Sequence, residues 1–77
     1  MTTNNATMIK KVNNNKKVWR LPTGNHVLTS FSTFSKETMA FSARSTGAVE
    51  SWAIVVCVDG DQPKHEEVIR QMGYIPS

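Results

Sequence analysis

The chain of 77 residues, 39% hydrophobic and 8% aromatic, is one small domain at most, and a chain this short buries only about 60% of its unfolded surface. Its single cysteine, Cys57, excludes an internal disulfide and fits a reducing compartment; the N-terminal stretch has no signal-type apolar core, so the expected location is cytoplasmic. The net charge of +3 is unevenly spread: Met1 to Lys36 holds six basic residues and no acid, whereas Glu37 onward holds three bases and six acids, a split that points either to an acidic partner for the first half or to a solvated basic segment.

Residues 1–15 are polar, with Met8, Ile9 and Val12 as the only sizeable apolar side chains. So little apolar surface predicts a flexible basic and polar arm, with an edge strand over Thr7 to Val12 as the competing reading. Residues 16–77 then form a single domain. Lys16 to Thr33 reads as a β-hairpin about Leu21-Pro22-Thr23-Gly24-Asn25, where Pro22 presets one turn dihedral and Gly24 supplies the left-handed residue. That register sets Trp19 opposite Val27 and Val18 opposite Leu28. The face of Lys17, Trp19, Leu21, Val27, Thr29 and Phe31 is the expected core face.

Phe31 to Ser45 has helical spacing at Phe31, Phe34, Thr38 and Phe41, but alternation and Ser/Thr content favour a strand from about Thr38 to Arg44. Ser45-Thr46-Gly47 turns the chain. Trp52 to Val58 is an unbroken apolar run, apolar on both faces of an extended segment, which predicts the buried central strand. It is too short to span a membrane. Asp59 to Pro63 ends that strand and starts a helix, with Asp61 as the expected cap, Glu66 and Glu67 near its start and Arg70 towards its end. His65, Val68, Ile69 and Met72 share one helix face, and Gly73 is the expected C-terminal stop.

Few motifs carry chemistry. Asp59-Gly60-Asp61 resembles the start of a calcium loop, but Lys64 stands where that loop needs Gly and Arg70 where it needs Glu. His26, His65 and one apolar-run cysteine make no zinc set. There is no Gly-x-Ser-x-Gly elbow and no phosphate-cradling glycine loop. The sequence therefore predicts no enzyme, no metal and no cofactor. Its strongest chemical signal is the set Lys10, Lys11, Lys16, Lys17, Trp19 and Arg20, whose charges and aromatic suit phosphates and a stacked base; the competing reading is a core tryptophan flanked by solvated lysines.

Glu37-Thr38-Met39-Ala40-Phe41, then Gly47, Trp52 and a short acidic helical region, resemble small accessory proteins of tailed bacteriophages, over Glu37 to Tyr74. That resemblance implies a compact protein in the host bacterial cytoplasm that binds and blocks or redirects a host protein. The expected architecture is α+β: about four strands in a mainly antiparallel sheet, with one C-terminal helix on one face. A helix covers only one face of a doubly apolar strand, so a homodimer or an obligate complex follows. The expected function is non-enzymatic binding of a host protein, with nucleic-acid binding through the basic half as the alternative.

Overall fold

In the computed structural model, described here over residues 4–77, six strands and one helix follow one another along the chain. They are β1 (Asn5–Asn13), β2 (Lys16–Arg20), β3 (His26–Ser32), β4 (Glu37–Ala43), β5 (Val56–Asp59), α1 (His65–Gln71) and β6 (Ile75–Pro76). All six strands join one curled sheet in the order β5-β4-β3-β2-β1-β6. Every pairing is antiparallel except β1 with β6, which is parallel. The sheet thus has six strands where the sequence predicted about four, and the helix near the C-terminus lies against one face.

The β2–β3 hairpin has the register expected from its turn. Trp19 faces Val27, Val18 faces Leu28 and Lys17 faces Thr29. Gly24 holds φ at +93° and its N–H donates to the Leu21 carbonyl at 2.9 Å, a left-handed step that L side chains avoid. On the helix side, Trp19, Leu21 and Val27 pack with Ala6 of β1 and Ile69 of α1, bordered by Met72 and Tyr74. On the outer side, Val18, Leu28 and Ala43 form a second cluster under Val49. Gly47, at φ +94°, crosses that cluster so closely that an added Cβ would sit 3.1 Å from a Val18 methyl. The two central strands therefore bury apolar residues on both faces.

The Trp52 to Val58 run does not form the centre of the sheet. Only Val56–Asp59 is a strand, it pairs with β4 alone, and it lies at the sheet edge. After the turn at Ser45 to Gly47 the chain runs briefly beside β4, where Val49 bridges Ala43 and the Glu50 N–H donates to the Ser42 carbonyl at 2.8 Å. It then leaves the sheet; the Ser51 hydroxyl accepts the Ala53 N–H at 3.2 Å and holds a turn there. Trp52 is 75% exposed and Ile54 55%. Cys57, expected in the core, is exposed for the same reason: an edge strand of four residues has no neighbour to cover its outer face.

The expected loose arm is also corrected. Asn5–Asn13 is the longest strand, zipped to β2 on one side and to β6 at Asn5 and Ala6 on the other. Residues 1–3 of that arm lie outside the described residues. Register breaks between Met8 and Lys10 and between Lys11 and Asn13 mark bulges in β1, which add twist at an edge. Ala6 is fully buried, and this small side chain lets β1 close over the core.

Helix α1 is seven residues long, too short to stand alone. It docks through His65, Val68 and Ile69, all buried, on the face the periodicity predicted. Asp61 does not cap it. The cap position is Lys64, with no side-chain cap bond; instead the Lys64 N–H donates to the Thr38 hydroxyl at 2.9 Å and pins the helix start to β4. Its end is a Schellman stop: Gly73 takes φ +93°, its N–H reaches the Arg70 carbonyl, and the Tyr74 N–H reaches that of Ile69. No helix among the described residues is long and apolar enough to cross a membrane.

Candidate functional site

The basic residues singled out in the sequence do not converge on one site. Directly opposed residues in an antiparallel pair share a face, so the pairs Lys10–Val18, Asn13–Lys16 and Thr7–Arg20 place Lys10, Lys16 and Arg20 on the outer face. The pair Lys11–Lys17 lies on the helix face. Lys17 there lines a groove of about 480 Å³ with Lys64, His65, Glu66, Glu67 and Arg70. Arg70 stands 3.7 Å from both Glu66 and Glu67, so this groove is of mixed charge. Trp19 is only 3% exposed and is withdrawn from base stacking: its ring belongs to the core, and its indole N–H donates to the Thr29 hydroxyl at 2.9 Å.

That bond belongs to a buried network. His65 places Nε2 3.1 Å from the Asn14 carbonyl and Nδ1 2.7 Å from the Thr29 hydroxyl. A carbonyl only accepts, so Nε2 carries the proton in the neutral ring, and Nδ1 accepts from Thr29. Burial holds the basicity of His65 below its ordinary value, against the opposing effect of the Asn14 carbonyl and with a smaller contribution from the charge of Lys17. The imidazole is a neutral bolt between α1, β3 and the β1–β2 turn.

A second cluster lies on the outer face at the other edge. Glu37 faces Asp59 across β4 and β5, and the Cys57 thiol donates to a Glu37 oxygen at 2.9 Å. The polar atoms of Glu37, Cys57 and Asp59 lie within 4.8 Å of one another. The hydrogen bond to Glu37, then desolvation and the charges of Glu37 and Asp59, push the thiol up to about 11; the same bond holds the Glu37 carboxyl below its usual range. Such a thiol stays protonated near neutrality and is a poor nucleophile or metal ligand.

Sequence periodicity missed the apolar surface. Trp52 and Ile54 stand exposed with Val55, which is 48% exposed. The Trp52 ring leans edge-on against Phe41, centroids 5.5 Å apart at 66°, which fixes the segment on the outer face of β4. Val55 borders a groove of about 300 Å³ walled by Leu21, Val27 and Met72, with Glu50 and His26 also lining it. The one sequence signal for this exposure was Ser51, a turn residue immediately before the expected strand. No protein-family model, curated protein or solved structure matches the chain.

Proposed function

We propose that this chain is a non-enzymatic binding protein that docks onto a partner protein through Trp52, Ile54 and Val55. In the setting that the phage resemblance implies, that partner is a host bacterial protein. One observation carries the reading: these large apolar side chains stand exposed within four consecutive residues of one short segment, whose Trp52 ring is held against Phe41. Contiguous exposed apolar patches rimmed by polar groups mark interaction sites, and an aromatic anchor supplies much of the binding energy where it is fully desolvated. Burying Trp52 and Ile54 on a partner contributes about 1.5–3 kcal/mol each. Capture from a bacterial lysate, nuclease-treated and at physiological salt, compares the native chain with Ile54→Asp and Trp52→Ala. The expected result is a partner held by the native chain and lost by both variants; equal capture by all three overturns the reading.

A nucleic-acid function rests on Lys10, Lys16 and Arg20, which share the outer face. Three phosphate contacts give a log–log salt slope of about −2 on single strands. Titration of the chain with oligonucleotides at several salt concentrations checks it, and a slope near zero removes it.

A further inference from the structure

We propose that copies of this chain associate head to tail through their sheet edges, the open part of β1 in one copy lying parallel to β5 of the next. Among the described residues, β5 is an edge strand and β1 has a free outer side along the part that β6 does not reach. β5 is terminal in the sheet, and the outer side of β1 is occupied only up to Met8, whose N–H meets the Ser77 carbonyl at 3.1 Å. From Ile9 to Asn13 that side stands open. Four successive antiparallel steps from β1 to β5 leave the two strands pointing the same way. A copy displaced sideways therefore brings its β5 parallel to β1, the direction in which β6 already pairs at Asn5 and Ala6.

Charge selects this pairing over the symmetric ones. Lys10, with Lys16 and Arg20 behind it, marks the outer face at the β1 edge; Asp59, with Glu37 behind it, marks the same outer face at the β5 edge. In a continued sheet, residues of one face meet; with β5 held to the open side of β1, Lys10 lies one same-face step from Asp59 of the next copy, within diagonal reach of its long side chain. Two β1 edges brought together would oppose lysines, and two β5 edges would oppose carboxylates, both unfavourable. Edge lysines repel other basic edges and leave β1 open to an acidic one. The bulges in β1 limit the ladder to a few hydrogen bonds, so the contact depends on these charges and on Ile9 and Val12, which are 40% and 49% exposed. A head-to-tail contact of this kind closes into a ring or continues as a filament.

Sedimentation of the full chain, from micromolar to near-millimolar concentration and at about 0.02 M and about 0.5 M salt, tests the proposal. The expected result is a mass that rises with concentration and falls with salt. Lys10→Glu alone and Asp59→Lys alone each weaken association by about tenfold or more, with circular dichroism showing that both remain folded. The double variant Lys10→Glu/Asp59→Lys restores it, because the swapped charges again meet as opposites. That restoration requires Lys10 of one copy to lie near Asp59 of another, and a mass that keeps rising beyond a dimer marks the contact as head to tail. A native chain monomeric under every condition, single variants that associate like the native chain, or a double variant that stays monomeric overturns the proposal.

Discussion

Thr29 has no exposed surface, yet its one hydroxyl serves Trp19, His65 and the Lys17 carbonyl, the last at 3.3 Å. Thr29→Val keeps the shape and removes the oxygen, leaving a buried indole N–H and a ring nitrogen unpaired at about 1–3 kcal/mol each. Denaturant melts are expected to show a loss of about 2–4 kcal/mol for Thr29→Val and much less for Thr29→Ser. The same hydroxyl explains an acid dependence. Protonated His65 must donate from Nδ1 to Thr29, whose hydrogen then turns to the weaker Lys17 contact. Because burial depresses its basicity, folded His65 takes up a proton at lower pH than the unfolded chain, where the ring titrates near 6.5. Its contribution to stability is therefore complete above that value and is lost as the pH falls through and below it. Melts between about pH 7.5 and about pH 5 are expected to show this decline, and His65→Gln to show less of it; equal slopes in the two proteins would remove His65 as the cause. At the opposite edge, the bond from Cys57 to Glu37 predicts alkylation at about pH 8 roughly tenfold slower than for an unperturbed thiol, given fewer thiolates of somewhat higher intrinsic reactivity. Glu37→Gln is expected to speed it.

Ala6 and Ile54 reverse the roles that composition suggested for their segments. Ala6→Asp puts a carboxylate at a fully buried site in β1, and such a charge costs several kcal/mol; the variant is expected to be unfolded by circular dichroism. Ile54→Asp changes an exposed position and is expected to shift stability by less than about 0.5 kcal/mol. The elements legible in the sequence were those with local determinants. The hairpin followed from Pro22 and Gly24, β4 from alternation, and the buried helix face and its stop from 3.6-residue spacing and Gly73. What escaped depended on distant partners. β1 is polar because an edge strand needs only a few buried contacts, supplied by Ala6 and by β2. β5 is apolar although exposed because the central places were already filled by β2 and β3, and β-branched runs look alike at a centre and at an edge. The basic candidate set divided between two faces because the alternation of β2 and the bulges of β1 jointly decide where each lysine points.

The whole molecule measures 40 × 22 × 21 Å and joins its two core clusters through the sheet rather than through a thick interior. At about 0.05–0.1 kcal/mol per residue its total stability is roughly 4–8 kcal/mol, so one well-placed truncation consumes much of it. Ile69 is fully buried and links α1 to Trp19, Leu21 and Val27. Ile69→Ala is expected to cost about 2–4 kcal/mol and to lower the whole unfolding transition, as both calorimetry and fluorescence would register. A loss confined to α1, with the sheet melting at its native temperature, would show that helix and sheet are separate cooperative units.

The pairing of β6 with β1 also sets an order of events in time. The Ser77 hydroxyl meets the Ala6 carbonyl across a separation of 71 residues, and the Ile75 N–H reaches the Asn4 carbonyl at 2.7 Å. The β2–β3–β4 meander closes over short turns and loses little loop entropy in doing so, whereas the β1–β6 seam cannot be rewarded until nearly the whole chain is in place. The seam is thus the last joint made in folding and the first to open. Amides of Ile75 and Ser77 should exchange with deuterium through local opening, well before that of Leu28, and weakening the seam should accelerate unfolding while leaving the refolding rate almost unchanged.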